Sequence, residues 1–194
     1  MSTISKPNQN HIQIDQLAKT LTRMGKKVVL ATQNIDDLHI KPQNNEYEYY
    51  NIHGNCKQVR CNQHHFQEYD PRKKDEKCKV CGGEMRPHIL FFDECYGKDY
   101  GAEIKDKTYP LVICIGSSVK TGLAINMIQR AEEVVEINPE PVIEIGKVYR
   151  FTNKTEEVLR NVIVALNNLV NSKQLINKKW ICILSIFKIC ELEI

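Results

Sequence analysis

The stretch NIHGNCKQVRCNQHH, residues 51–65, holds residues for two kinds of chemistry. A histidine precedes a glycine, and two cysteines and two more histidines follow it: His53, then Cys56, Cys61, His64 and His65. A histidine can act as a general base near neutral pH because its pKa lies close to that range. Cysteine and histidine are also the ligands that zinc prefers. The stretch therefore raises two hypotheses, a catalytic histidine and one half of a metal site.

A second pair of cysteines strengthens the metal hypothesis. Cys78 and Cys81 form a C-x-x-C pair followed by two glycines, which is typical of one half of a structural zinc site. A redox-active pair is the alternative interpretation of an isolated C-x-x-C. A collapsed site without metal is the alternative to the zinc site as a whole.

The other half of the metal site has four candidates in the opening stretch. Cys61 and His64 keep the two-residue gap of a zinc knuckle, and we favour them as the partners of Cys78 and Cys81. Cys56 and Cys61 would face opposite sides of an extended strand, which makes them a poor chelating pair. The fourth ligand stays open between His64, His65 and Cys56.

Polar residues follow three apolar runs that read as buried strands. The runs are 28–31, 111–115 and the segment that begins VVEI, and the polar residues after them are Gln33, Asn34 and Asp36, then Gly116, Ser117 and Ser118, then Asn138 and Glu140. The carboxyl ends of parallel strands meet at one edge of a sheet, where ligands of such folds bind. Three polar strand ends together therefore favour a ligand crevice.

The remaining pattern indicates an α/β fold. Helical spacing of apolar residues recurs at 14–21, from Gly122 and at 158–166, between the predicted strands. This alternation predicts a mostly parallel sheet with helices on both faces, interrupted by the zinc-binding insertion at about 54–86. We assign residues 1–172 to this domain and 173–194 to a tail of unknown role.

Composition adds limits on the function. The net charge of +3 gives no support to direct nucleic-acid binding, and eight cysteines in 194 residues are too few for a disulfide scaffold. Residues 180–190 are apolar but too short to span a bilayer. The start of the sequence shows no secretory signal. A cytoplasmic or nuclear location with reduced thiols is the expectation.

Six motifs in a fixed order give the sequence a family resemblance. They are TQNIDDLH (32–39), HGN (53–55), the paired cysteines, RPHILFFDE (86–94), GSS (116–118) and INPEP (137–141). In this order they resemble the sirtuins, which are NAD-dependent protein deacylases. The resemblance covers roughly residues 7–166 and implies a partial Rossmann-like domain with a structural zinc site.

The resemblance also implies roles for individual residues. His53 would be the general base that takes a proton from the NAD ribose, and Leu90 and Phe91 would line the tunnel for an acylated lysine of a protein or peptide. The NAD site would be formed by Gln33, Asn34, Asp36, Gly116, Ser117, Ser118, Asn138 and Glu140. The implied products are free lysine, nicotinamide and an acylated ADP-ribose.

One part of the family pattern is not found in this sequence. Sirtuins begin with a glycine-rich strand-to-helix turn that holds the NAD pyrophosphate, whereas the first glycine here is Gly25. We therefore expect an N-terminally truncated domain with weak NAD binding. The central strand would be missing, which would expose the apolar edges of its neighbours. The alternative function is a catalytically inactive, zinc-bearing module that binds peptides.

Overall fold

The computed structural model describes residues 6–63, 66–68, 70, 72, 74, 76–144, 147–171 and 180–185. Three α-helices lie in these ranges: α1 Gln9–Arg23, α2 Gly122–Gln129 and α3 Thr155–Asn171. Nine strands lie in them: β1 Lys27–Thr32, β2 Glu48–Asn51, β3 Gly54–Cys61, β4 Phe66–Glu68, β5 Met85–Ile89, β6 Leu111–Ile115, β7 Glu133–Ile137, β8 Val148–Phe151 and β9 Trp180–Ser185. Two short 3-10 helices, Lys98–Tyr100 and Ala102–Ile104, precede β6.

The first helix shows how the local sequence sets these boundaries. Asn8 caps α1, because its side chain accepts a hydrogen bond from the His11 backbone N–H while the His11 ring bonds back to the Asn8 backbone. The helix is followed by Gly25, whose φ of +76° is a left-handed conformation that suits glycine. Ile14, Leu17 and Leu21 form its buried face, as their spacing predicts.

Six strands form the main sheet, in the order β2-β1-β9-β6-β7-β8. Every pair of neighbours in this sheet is parallel. One apolar cluster joins the sheet to α1 and α3, and a second joins its other face to α2. The predicted α/β class, with a parallel sheet and helices on both faces, is therefore confirmed.

The strand β9 corrects our prediction for the C-terminal part of the chain. It lies between β1 and β6, with Trp180 opposite Lys27 and Ile181 opposite Leu111. The predicted exposed edges on β1 and β6 are therefore wrong, because β9 pairs with both. The boundary at 172/173 is wrong as well, since residues 180–185 belong to the centre of the sheet.

Side chains of β9 alternate between the two faces of the sheet, as a central strand requires. Ile181 and Ile183 pack in the cluster with α1 and α3, whereas Cys182 and Leu184 pack in the cluster with α2. All four are completely buried. The apolar run WICILS, for which the sequence alone gave us no function, thus has the composition of a strand buried on both faces.

The predicted insertion forms a second, antiparallel sheet in the order β4-β3-β5. It begins at Gly54, where β3 crosses close to β5. Gly54 has a φ of +83°, and a Cβ atom there would overlap the carbonyl oxygen of His88. Glycine is required at this position for both reasons.

We expect Gly54→Ala to lower the free energy of unfolding by roughly 2 to 4 kcal/mol, which combines backbone strain with the clash against β5. Gly25→Ala is the matched control, since Gly25 also has a positive φ but a Cβ there meets no atom within 4 Å. It should cost only about 1 to 2 kcal/mol. Urea unfolding of both variants measures the difference, and equal losses would contradict a close packing of β3 on β5 at Gly54.

No helix among the described residues is both long and apolar enough to cross a membrane.

Candidate functional site

The carboxyl edge of the main sheet gathers the polar residues that the sequence singled out. Gln33 follows β1 directly, and its backbone N–H donates to the carbonyl of Ser185 at the end of β9, at 3.1 Å. Asn34 donates from its side chain to Asp36 at 3.2 Å, and Asp36 accepts the backbone N–H of Leu38 at 2.9 Å. The segment after β1 is therefore fixed by its own polar side chains.

The next two strand ends are joined to each other by a side chain. Asn138, after β7, donates from its amide to the carbonyl of Ser117, after β6, at 3.0 Å. The Ser117 hydroxyl accepts the Val119 backbone N–H, and the Asn138 side chain accepts that of Glu140. Ser117 is buried whereas Ser118 is exposed. These contacts hold the turns after β6 and β7 in one arrangement.

His53 lies between the sheet edge and the segment that follows β5. Its carbonyl accepts the backbone N–H of Leu90 at 3.0 Å, and its ring nitrogen Nε2 lies 2.9 Å from the hydroxyl of Tyr96. Burial lowers the pKa of His53, and a hydrogen bond to the backbone of Gln33 partly opposes this shift. The ring is therefore neutral around pH 7, which is the state in which a histidine can accept a proton.

Leu90 and Phe91 belong to a segment that Arg86 and Glu94 hold in place. Arg86 is ion-paired with Glu94 and also donates to the carbonyl of Ile89 at 2.8 Å. The other carboxylate oxygen of Glu94 accepts the backbone N–H of Phe91 at 3.0 Å. Phe91 and Phe92 are both exposed. The segment thus presents apolar side chains to solvent on a fixed backbone.

The sulfur atoms of Cys61, Cys78 and Cys81 form the candidate metal centre. Their ligand atoms lie within 4.8 Å of one another, and Cys61 Sγ is 3.4 Å from Cys81 Sγ. Backbone N–H groups of Gln63 and Val80 donate to the sulfur atoms of Cys61 and Cys78. Three converging thiols suit a structural zinc site.

Among the described residues, no fourth side chain joins the three clustered cysteines as a possible metal ligand. His64 and His65 fall outside the described residues, so the preference for His64 stays a prediction. Cys56 is not part of the thiol cluster; burial and the nearby Asp36 raise the pKa of its thiol. Cys56 thus faces the sheet edge, away from the three metal-site cysteines.

We expect the protein to bind one zinc ion and Cys81→Ser to lose it, because removal of one ligand from a closed four-ligand set destroys the site. Cys56→Ser is the matched control and should keep the metal. Elemental analysis of the purified variants measures this. Loss of zinc in Cys56→Ser together with full zinc in His64→Ala would refute the predicted ligand set.

Two polar residues near the site carry no recognisable sequence signal. Tyr96 meets His53 across 43 positions of the chain, and Ser185 lies 3.0 Å from Nε2 of His39 across 146 positions. Both His39 and Ser185 are buried, and burial, with the neighbouring His11, lowers the pKa of His39 to about 3. Only the fold brings these pairs together.

Comparison with known proteins gives a consistent result. The Sir2 family model matches residues 1–122. An NAD-dependent protein deacylase of Caulobacter vibrioides is 32% identical over 149 residues, which are 71% of this chain and 60% of that protein. An NAD-dependent protein deacylase 1 of Archaeoglobus fulgidus is 29% identical over 171 residues, 82% of this chain and 67% of that protein.

Solved structures agree with the sequence comparison. A Sir2 homologue in complex with NAD is similar with a TM-score of 0.64 and 26% identity, over 85% of this chain and 66% of that one. A sirtuin structure described for its substrate affinity gives a TM-score of 0.57 and 26% identity, over 83% and 69% of the two chains. The chain thus spans about three fifths of the Caulobacter relative and two thirds of the NAD-bound homologue. By its matched family model, its relatives and its fold, this chain belongs to the Sir2 family, the sirtuins.

Proposed function

We propose that this protein is an NAD-dependent protein-lysine deacylase that releases nicotinamide and an O-acyl-ADP-ribose. The observation that carries the proposal is the position of His53, a neutral histidine held between the polar edge of the parallel sheet and the segment of Leu90 and Phe91. Two relatives carry the name NAD-dependent protein deacylase, and a structurally similar homologue binds NAD.

The residues at the sheet edge fit a bound dinucleotide. The side-chain nitrogen Nε2 of Gln33 is buried and has no hydrogen-bond partner among the described residues, although a buried amide normally has one. A carboxamide or ribose oxygen of a ligand would satisfy it. We assign Gln33, Asn34 and Asp36 to the nicotinamide and ribose end, Gly116, Ser117 and Ser118 to the phosphates and second ribose, and Asn138 and Glu140 to the adenosine end.

His53 is suited to one proton transfer. When bound, NAD supplies the ribose carbon that the acyl oxygen attacks as nicotinamide leaves. His53 then takes the proton of a ribose hydroxyl at Nε2, so that this oxygen can attack the acyl carbon. Its lowered pKa keeps the ring unprotonated and ready to accept.

The acylated lysine would lie beside Leu90 and Phe91. The backbone N–H groups of both residues are already used, by the carbonyl of His53 and by the carboxylate of Glu94. These two N–H groups are therefore not available to a peptide that adds to this segment as a strand. The exposed ring of Phe92 is free to pack against the peptide.

The test is an assay of the 194-residue protein with an acetyl-lysine peptide and NAD, in which nicotinamide and deacetylated peptide are measured together. The proposal requires both products in equal amounts and neither when NAD or the acetyl group is omitted. Peptide binding without any NAD binding or turnover would instead identify a non-catalytic peptide-binding module.

A further inference from the structure

The hydroxyl of Tyr96 is directed at the ring nitrogen of His53 on which the proposed function depends. The oxygen lies 2.9 Å from Nε2, and the two rings are tilted by 36° with centroids 6.1 Å apart. This geometry is a hydrogen bond rather than a stacked contact.

The direction of this hydrogen bond follows from the other contact of the ring. His53 also hydrogen-bonds the Gln33 backbone, where only the carbonyl oxygen stabilises a protonated ring nitrogen. Because Nε2 faces Tyr96, the nitrogen left for that carbonyl is Nδ1. A neutral imidazole with hydrogen on Nδ1 has its lone pair on Nε2. The Tyr96 hydroxyl is therefore the donor, and Nε2 the acceptor.

Tyr96 is itself held by its surroundings. It is half-buried and packs against the apolar cluster that joins the sheet to α2. Burial raises the pKa of its phenol, so the hydroxyl keeps its hydrogen at neutral pH. Tyr96 lies two residues after Glu94, whose carboxylate accepts the backbone N–H of Phe91. Residues 91–96 therefore contact both the predicted substrate position and His53.

We propose that Tyr96 is a positioning residue for His53, which holds the imidazole with its Nε2 lone pair towards the ribose position. The inference rests on the proposed function of His53 as the base. The ribose hydroxyl becomes the hydrogen-bond donor to Nε2 when the substrate arrives, and Tyr96 stays beside the imidazole and keeps it in this orientation during the reaction. Tyr96 transfers no proton in this scheme.

The first test needs no turnover. Ring nitrogens of His53 are observed by NMR in the full chain labelled with ¹⁵N-histidine, and the signal is assigned with His53→Gln. In Tyr96→Phe, which removes a single oxygen atom, the loss of a donor to the neutral ring should raise the pKa of His53 by roughly half to one unit. Tyr96→Leu should give the same shift.

Tyr109→Phe is the matched control. Tyr109 is a buried tyrosine of the same apolar cluster, and its hydroxyl has no hydrogen-bond partner among the described residues. The pKa of His53 should be unchanged in this variant. An unchanged pKa in both Tyr96→Phe and Tyr96→Leu would overturn the proposal, as would an equal rise in Tyr109→Phe.

Deacetylation provides the second test. In Tyr96→Phe, kcat should fall about fivefold to tenfold with little change in the KM for peptide, as expected for a lost hydrogen bond that orients the base. A raised KM at unchanged kcat would contradict the positioning role. If neither wild type nor variant turns over, the proposed function fails, and the NMR comparison still decides whether Tyr96 holds the ring.

Discussion

A chain that ends at Asn171 should not fold. Removal of β9 opens the centre of the main sheet, because β1 and β6 each lose their shared neighbour. It also removes four completely buried side chains, Ile181 to Leu184. At about 1.5 to 3 kcal/mol for each of the three large aliphatic side chains, Ile181, Ile183 and Leu184, the loss is roughly 5 to 9 kcal/mol, comparable with the whole stability of an ordinary domain.

The backbone contributes to the same result. β9 forms parallel ladders with β1 and with β6, so its removal leaves the N–H and C=O groups on the facing edges of both strands without partners. Unpaired edges of apolar strands pair with other chains. The shortened protein is therefore expected to lose its cooperative unfolding transition and to aggregate.

The matched control is a chain that ends at Ser185, which keeps β9. Circular dichroism and thermal unfolding compare the two chains with the full-length protein, and the longer one should stay close to full length. A synthetic peptide that covers residues 178–188, added during refolding of the shorter chain, should restore part of the helical signal. A stable, cooperatively folded chain without residues 172–194 would show that β9 is not needed in the sheet.

For β9, the local sequence indicates a buried strand but not the position of that strand in the sheet. An apolar run such as WICILS indicates a buried strand, and the runs at 28–31 and 111–115 were predicted as strands for the same reason. The neighbours of a parallel strand, however, are set by pairing between distant parts of the chain. Nothing in the local sequence of residues 180–185 specifies insertion between β1 and β6.

The residues of the candidate site also include some that the sequence identified and one that it did not. Short motifs identified the three clustered cysteines, because ligands that share one metal recur at a fixed spacing. The polar residues at the strand ends followed from the alternation of strands and helices, which places them at one edge. Tyr96 has no such spacing relative to His53, and only the fold brings the two side chains together.

The variant His53→Ala should lose deacetylation almost completely. A positioned general base typically accelerates a reaction by two to four orders of magnitude, which corresponds to roughly 3 to 5 kcal/mol in barrier height. His53 is the proposed acceptor of the ribose proton, and alanine offers no atom that can take its place. The base acts after nicotinamide has begun to leave, so a slow exchange of free nicotinamide into NAD should persist.

The fold of this variant should be unaffected. The backbone of His53 is bonded to Leu90 through its carbonyl, which alanine keeps, and the metal-site cysteines Cys61, Cys78 and Cys81 lie apart from the His53 ring. Circular dichroism and zinc content should match the wild type. Lys57→Ala, in the strand β3 that follows His53, is the matched control, because its ion pair with Asp37 is long, at 4.0 Å, and Asp37 keeps a closer ion pair with Lys41 at 2.9 Å.

The comparison is made with the acetyl-lysine peptide at saturating NAD, and both nicotinamide and deacetylated peptide are quantified. We expect Lys57→Ala to remain within about threefold of the wild-type rate, since a long ion pair with a partly exposed lysine contributes at most about 1 kcal/mol. His53→Ala should form deacetylated peptide at least a hundredfold more slowly. Near-normal deacetylation by a folded, zinc-containing His53→Ala protein would remove the histidine from the chemistry, and with it the observation on which the proposed function depends.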